Sequence, residues 1–158
     1  MAIPTSPLVP EATMWRLVFG LGVLMATVGG LEVVLLWIPV RFPSTAWGFA
    51  TATTFLDAIP LLGLGLAFLL AGSVALGLPW TTRAAAGACV LLALVVCLAA
   101  VLYFSALPAT LGVTTDPLMR TQLTKLTVKA GLQTLIYPTA FIVLAALSWR
   151  ATRARVRR

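Results

Sequence analysis

Four charged side chains lie within or beside the long apolar segments of this sequence, and their chemistry needs an explanation. Glu32 lies inside the run ATVGGLEVVLLWIP, and Asp57 lies shortly before Pro60. Lys125 and Lys129 are spaced so that both ammonium groups fall on one face of a helix. An ionised carboxylate inside a membrane is costly unless it is paired or protonated, so such acids are functional candidates.

Three interpretations of Glu32 fit its position. We favour an ion pair within the chain, with Lys129 as the expected partner and Arg41 as the second choice, because the apolar segments contain no deeper acid that could continue a proton relay. The alternatives are a role in carrying protons or a substrate, and a contact with another subunit. Asp57 is expected to pair with Arg41 or Lys125. The predicted structural network therefore comprises Glu32, Asp57, Arg41, Lys125 and Lys129.

Other reactive groups are scarce in this sequence. It contains no histidine, which removes the commonest general base, metal ligand and haem ligand. No GxSxG, HExxH, phosphate-loop or CxxC motif is present. Cys89 and Cys97 are about 12 Å apart along a helix axis, which exceeds the reach of a disulfide. We therefore expect no catalytic site, no metal and no ligated cofactor, while lipids or pigments contact the apolar faces peripherally.

Four apolar segments must position the charged residues. Of the 158 residues, 61% are hydrophobic and 9% charged, against about 25% charged in soluble domains, so the solvent of this chain is lipid. Membrane spans are predicted at residues 14–38, 55–78, 84–107 and 130–149, the first three ended by Pro39, Pro79 and Pro108. The predicted fold class is all-α integral membrane, a single antiparallel four-helix bundle over residues 1–158.

The connections between the spans predict further structure. In the first loop, a short helix is expected to begin at Ser44 or Thr45. Asp116 is expected to cap a helix whose first residue is Pro117 and which continues into the fourth span. Pro138 predicts a kink within that span. The link PWTTR is short enough to make spans two and three an antiparallel hairpin.

The basic residues set the expected orientation and location. With both termini in the cytoplasm, the positive-inside rule is satisfied, which predicts a multi-pass protein of the bacterial inner membrane. The inner residues are Arg16, Arg83, Arg150, Arg153, Arg155, Arg157 and Arg158, and the outer ones are Arg41, Arg120, Lys125 and Lys129. The tail at residues 150–158 is expected to anchor the topology or to bind anionic lipid of the cytoplasmic leaflet or a partner. Nucleic acid is not an expected partner, because the basic run is short and adjoins a span.

Small residues at four-residue spacing predict where the helices pack, because membrane helices associate through close contact of small side chains. The predicted ridges are Gly22, Ala26 and Gly30 in the first span, Gly63, Ala67, Ala71 and Ala75 in the second, and Ala85, Cys89, Ala93 and Cys97 in the third. Each ridge is expected to face another helix of the bundle or a partner subunit. Glu32 points about 200° around the helix from Gly30, so the acid and the ridge are expected to contact different neighbours.

The segment IPVRFPSTAWGFATATTFLDAIPLLGLGLAFLLAG contains a proline-bounded loop with Phe42, Pro43 and Trp47, followed by a leucine- and glycine-rich span. In this segment the sequence resembles the HpsJ-like small cyanobacterial membrane proteins, which are associated with hormogonium polysaccharide secretion. Nine residues follow the fourth predicted span in this sequence, so the soluble, coiled extension of that family is not expected here. The resemblance therefore implies a membrane architecture and no specific chemistry.

These features together predict a non-enzymatic accessory subunit of a larger bacterial inner-membrane complex. Respiratory, photosynthetic and secretion complexes are all compatible hosts. The subunit would act by lateral packing, with membrane lipids and other membrane-protein subunits as its partners. The alternative function is a small transporter or channel-like protein that uses Glu32 and works as an oligomer.

Overall fold

The apolar segments are rich in leucine and alanine, which are strong helix formers, and they fold as long helices. The computed structural model describes residues 11–36, 38, 45–113 and 117–156, and within those ranges it contains four helices and no strand. The helices are α1 (Glu11–Leu36), α2 (Thr45–Ala75), α3 (Pro79–Val113) and α4 (Pro117–Val156). Each contains a segment long and apolar enough to cross a membrane, which confirms the all-α class and the four apolar spans.

The turn between α2 and α3 is closed by a glycine in the left-handed conformation. Gly77 has a φ of 72°. Its N–H donates to the carbonyl of Val74 at 3.2 Å, and the N–H of Leu78 donates to the carbonyl of Ser73 at 2.9 Å, which together form a Schellman motif. Pro79 then begins α3, because a proline in the first helical position lacks an N–H that the helix does not need. The predicted hairpin is confirmed, although α3 begins earlier than position 84.

Prolines lie inside three of the described helices: Pro60 in α2, Pro108 in α3 and Pro138 in α4. The prediction that the third span ends at Pro108 is therefore wrong, because α3 continues to Val113. A proline removes one backbone hydrogen bond, and a long apolar helix keeps the bonds on both sides of it.

Both helices that follow the longer loops begin where the sequence predicts. α2 begins at Thr45, but it continues unbroken into the second span instead of forming a separate short helix. α4 begins at Pro117 and runs unbroken through the fourth span, as predicted. Asp116, its expected cap, lies outside the described residues.

α2 is the central helix of the assembly. It contacts α1, α3 and α4, whereas α1 contacts neither α3 nor α4 within the described ranges. Helices consecutive in the chain run antiparallel, and α2 and α4 run parallel. The predicted bundle is thus corrected to a three-helix core of α2, α3 and α4, with α1 packed against α2 alone. We call the end with the Gly77 turn the hairpin end and the opposite end the loop end.

The core between α2, α3 and α4 follows alternating steps of three and four residues. Ala86 and Ala93 are buried beside a stripe of α3 that follows these steps and is formed by Thr82, Ala85, Cys89, Leu92, Val96, Ala99 and Tyr103. Such steps average about 3.5 residues, which keeps the stripe on one side of the helix, as in coiled coils.

This periodicity explains where the predicted ridge of α3 leaves the core. A strict step of four residues turns through about 400°, so a ridge built that way drifts about 40° at every step. Ala85, Cys89 and Ala93 are buried, in agreement with the ridge. Cys97 is exposed, so it does not pack against another helix of this chain.

Glycines of α1 bring its backbone against α2. A Cβ atom added to Gly22 would overlap the backbone nitrogen of Leu69, and one added to Gly29 would lie 2.9 Å from the Cα atom of Leu62. Gly22 of the predicted ridge therefore packs against α2, whereas Gly30 packs against no described helix of this chain, since an added Cβ there meets no atom within 4 Å. The drift of a four-residue ridge again accounts for the difference, because the step from position 26 to the next contact is three residues.

Glycines of α2 make the reciprocal contacts with α1. A Cβ atom added to Gly65 would overlap the backbone nitrogen of Ala26, and one added to Gly72 would lie 2.9 Å from the Cα atom of Phe19. We call Gly22, Gly29, Gly65 and Gly72 the glycine seam. Both helices therefore approach within backbone contact along much of their lengths, which small residues permit in membrane proteins.

The predicted ridge of α2 has neighbours other than those of the glycine seam. A Cβ atom added to Gly63 would lie 3.0 Å from the ring of Phe141 in α4. Ala67, Ala71 and Ala75 line a groove between α1 and α4. Ala71 is exposed there, so it does not pack against another helix of this chain.

Candidate functional site

An ion pair joins α2 and α4 near the loop end. The Nζ atom of Lys129 donates to Oδ1 of Asp57 at 2.6 Å. The side chains are 53% and 55% exposed respectively, so the pair forms at the surface of the three-helix core. Exposed pairs in water contribute about 0–1 kcal/mol, so this pair orients α4 more than it stabilises the fold.

The position of Glu32 corrects the main prediction for this acid. Glu32 is exposed on α1, which does not contact α4, and Lys129 pairs with Asp57, so the predicted pair of Glu32 and Lys129 is wrong. Across the described ranges Glu32 has no ion pair. Arg41, its second expected partner, lies outside those ranges. Lys125, expected as a partner of Asp57, is exposed one helical turn before Lys129, which pairs with Asp57 instead.

A side-chain amide replaces the backbone hydrogen bond that Pro60 removes from α2. In a regular helix the carbonyl of Leu56 would accept from the N–H of residue 60, but proline has none. Nε2 of Gln133 in α4 donates to that carbonyl at 3.3 Å. An unsatisfied carbonyl in an apolar medium costs several kcal/mol, so this contact removes a large penalty.

Two hydroxyls connect α3 to α4 at the same end. Tyr103 of α3 is fully buried, and its Oη atom lies 3.3 Å from Oγ1 of Thr127. Thr127 donates its own proton to the carbonyl of Leu123 at 2.8 Å, so Tyr103 is the donor in the contact between helices. We call Asp57, Tyr103, Thr127, Lys129 and Gln133 the loop-end polar cluster.

Sequence reasoning found two members of the loop-end polar cluster and missed three. Asp57 and Lys129 were identified by their charges. Gln133 carried a signal that was overlooked, because a proline inside one span requires a donor from another, and this is the amide side chain within residues 130–149. Tyr103 and Thr127 carried none, since an isolated hydroxyl in an apolar run does not identify its partner.

A second group of hydroxyls lies at the hairpin end. Ser73 and Thr82 are fully buried, and their hydroxyl oxygens are 3.0 Å apart. Ser73 donates to the carbonyl of Leu70 at 3.0 Å, and the hydroxyl of Thr82 lies 2.9 Å from the carbonyl of Leu78. A cavity of about 150 Å³ adjoins them, with Thr152 of α4 on its far side. These bonds satisfy the polar groups that the tight α2–α3 turn buries.

The basic tail is described over its first part. Arg150 is exposed, and the guanidinium of Arg153 lies 6.0 Å from the ring centroid of Trp149, within the range of a cation–π contact. The side chains of the remaining predicted tail residues, Arg155, Arg157 and Arg158, lie outside the described part of the chain. Lipid binding by the tail stays a prediction.

The side chains of the loop-end polar cluster hold helices in position relative to one another. Its acid, Asp57, already accepts from Lys129, and its amide and hydroxyls are used in contacts between helices. Among the described residues, no group of three Cys, Asp or Glu side chains is placed to hold a metal ion. The cluster therefore fixes the rotation and height of α4 relative to α2 and α3.

Comparison with other proteins gives no family for the chain. The resemblance of residues 38–72 to HpsJ-like proteins stays a prediction. No family model, curated protein or solved structure matches the sequence.

Proposed function

We propose that this protein is an accessory subunit of a larger complex in a bacterial inner membrane, which it stabilises through helix packing and contacts with lipids or partner subunits. The observation that carries the proposal is how little of α1 is buried. In its most apolar window 11% of residues are buried, against 39% in α2 and in α3. α1 rests on α2 through the glycine seam and leaves its other faces open.

Glu32 lies on this open surface, and its carboxylate needs a cation nearby. It lies about 6 Å before Leu36, the last residue of α1, so in a bilayer that α1 spans we expect its carboxylate to lie near the interface. An exposed acid at that depth is costly unless a cation approaches it. A basic group on a neighbouring subunit would remove that cost, and this supports the third interpretation of Glu32, a contact with another subunit, over the ion pair with Lys129.

Purification from the native membrane in mild detergent, followed by mass spectrometry, tests the proposal. We expect other membrane proteins to co-purify in fixed stoichiometry, and Glu32→Gln to weaken their association by about 2 kcal/mol or more, because it leaves the partner's cation unpaired. The matched control is Glu11→Gln, at the start of the same helix. A lone monomer or homo-oligomer would refute the accessory role.

The alternative, a small transporter that uses Glu32, makes a different prediction. Because Glu32 lies on an exposed face of α1, a transport path past it would have to run between chains. Flux through proteoliposomes of the purified chain that is abolished by Glu32→Gln and kept by Glu11→Gln would favour transport. We expect no such flux.

A further inference from the structure

A groove runs between α1 and α4 toward the hairpin end. It exists because both helices contact α2 but not each other within the described ranges. Its floor is formed by Ala67, Ala71 and Ala75, and its walls include Trp15 of α1 and Leu147 of α4. Its volume is about 460 Å³, within the usual size of ligand sites.

The lining of the groove fits an extended apolar chain. The three alanines are on one face of α2 and cover about 12 Å along its axis, so the groove is elongated. Its hydroxyl, from Ser148, already donates to the carbonyl of Leu144 at 2.7 Å. The groove therefore presents mainly hydrocarbon along its length, and the indole N–H of Trp15 is a donor in its wall.

Two arginines, one on each wall helix, are next in sequence to residues that line the hairpin end of the groove. Arg16 follows the wall residue Trp15, and Arg150 precedes Ala151, which also lines the groove. Both arginines are exposed, and neither forms an ion pair with any described residue. Guanidinium groups bind phosphate with two hydrogen bonds, and tryptophan favours the interface between hydrocarbon and headgroups.

We propose that the groove binds one acyl chain of an anionic phospholipid, whose phosphate is held by Arg16 and Arg150. The apolar floor and the cationic end match the two halves of such a lipid. The leaflet is the one on the side of the hairpin end. The proposal concerns the isolated chain, so it stands or falls independently of the proposed accessory role.

Native mass spectrometry of the full chain tests the proposal. The protein is taken from vesicles of equal parts phosphatidylglycerol and phosphatidylcholine, and the retained lipid is identified. We expect retained phosphatidylglycerol, and about tenfold less of it after Ala71→Phe, which fills the floor of the groove. The matched control is Ala146→Phe, at an exposed position on the opposite face of α4, which should retain as much as the wild type.

The headgroup half of the proposal has its own variants. Arg16→Gln and Arg150→Gln should each lower the preference for phosphatidylglycerol over phosphatidylcholine about fivefold, the equivalent of about 1 kcal/mol per arginine. Equal retention of the two lipids by the wild type would overturn the headgroup contact. Equal losses in Ala71→Phe and Ala146→Phe would overturn the groove. A photo-cross-linker at position 71 that captures a protein helix in native membranes, and no lipid, would show that a partner occupies it.

Discussion

α2 is contacted by α1 on one side and by α4 on another, and these two contacts use different atoms. Toward α1, Gly65 and Gly72 bring backbone against backbone. Toward α4, Asp57 accepts a hydrogen bond from Lys129, and the carbonyl of Leu56 accepts one from Gln133. The contact with α1 depends on how closely the two backbones approach at each glycine of the seam. The contact with α4 depends on a few hydrogen-bonded or charged pairs.

The comparison indicates how each contact responds to change. A single added methyl group in the glycine seam meets backbone atoms, which cannot move without shifting a whole helix. A polar pair at the loop end includes side chains that reorient, and the ion pair is half exposed. We therefore expect large effects in the seam, intermediate effects at the carbonyl that Pro60 leaves open, and small effects at the ion pair.

The largest predicted effect is that of a methyl group in the seam. Gly22→Ala should lower the free energy of unfolding by about 3 kcal/mol, because its Cβ atom would overlap the backbone of Leu69. The matched control is Gly30→Ala, on the same helix in open space, which should be neutral or stabilise by up to about 1 kcal/mol. Denaturant unfolding in detergent measures both. Equal effects of the two substitutions would show that the seam is not a close contact.

The seam also shows how far the sequence alone determines this fold. The four spans follow from apolar length, and the starts of α2 and α4 follow from Thr45 and Pro117. The ridges were predicted at a constant step of four residues. Two or three residues spaced in this way lie on the contact face, and the next one lies off it, as at Gly30 and Cys97. The exact rotation of a helix depends on its neighbour, and a single sequence does not contain that information.

The candidate site was predictable to a similar extent. Charge alone identified Asp57 and Lys129 as members of a network at one end of the protein. Glu32 and Asp57 were both within reach of that lysine by depth, so the choice between them required knowing that α1 does not contact α4. Which helices are adjacent is a property of the whole assembly. A single sequence therefore did not show that Asp57, and not Glu32, pairs with Lys129.

An intermediate effect is predicted for Gln133, the donor to the carbonyl left open by proline. Gln133→Leu should lower the free energy of unfolding by about 2 kcal/mol, because the carbonyl of Leu56 then has no donor in an apolar setting. In the Pro60→Ala background the restored amide satisfies that carbonyl, and the cost of Gln133→Leu should fall below about 1 kcal/mol. A cost that is the same in both backgrounds would mean that Gln133 does not compensate for the proline.

The smallest effect is predicted for the ion pair of Asp57 and Lys129. A double-mutant cycle with Asp57→Asn and Lys129→Gln should give a coupling of about 0.5–1 kcal/mol, because both side chains are half exposed. The coupling should decrease as ionic strength rises, since salt screens exposed charges. The control cycle pairs Lys129→Gln with Glu32→Gln and should show none, because the two residues lie on helices that do not touch. Coupling to Glu32 as large as that to Asp57 would place α1 against α4 and would remove the distinction between the two contacts of α2.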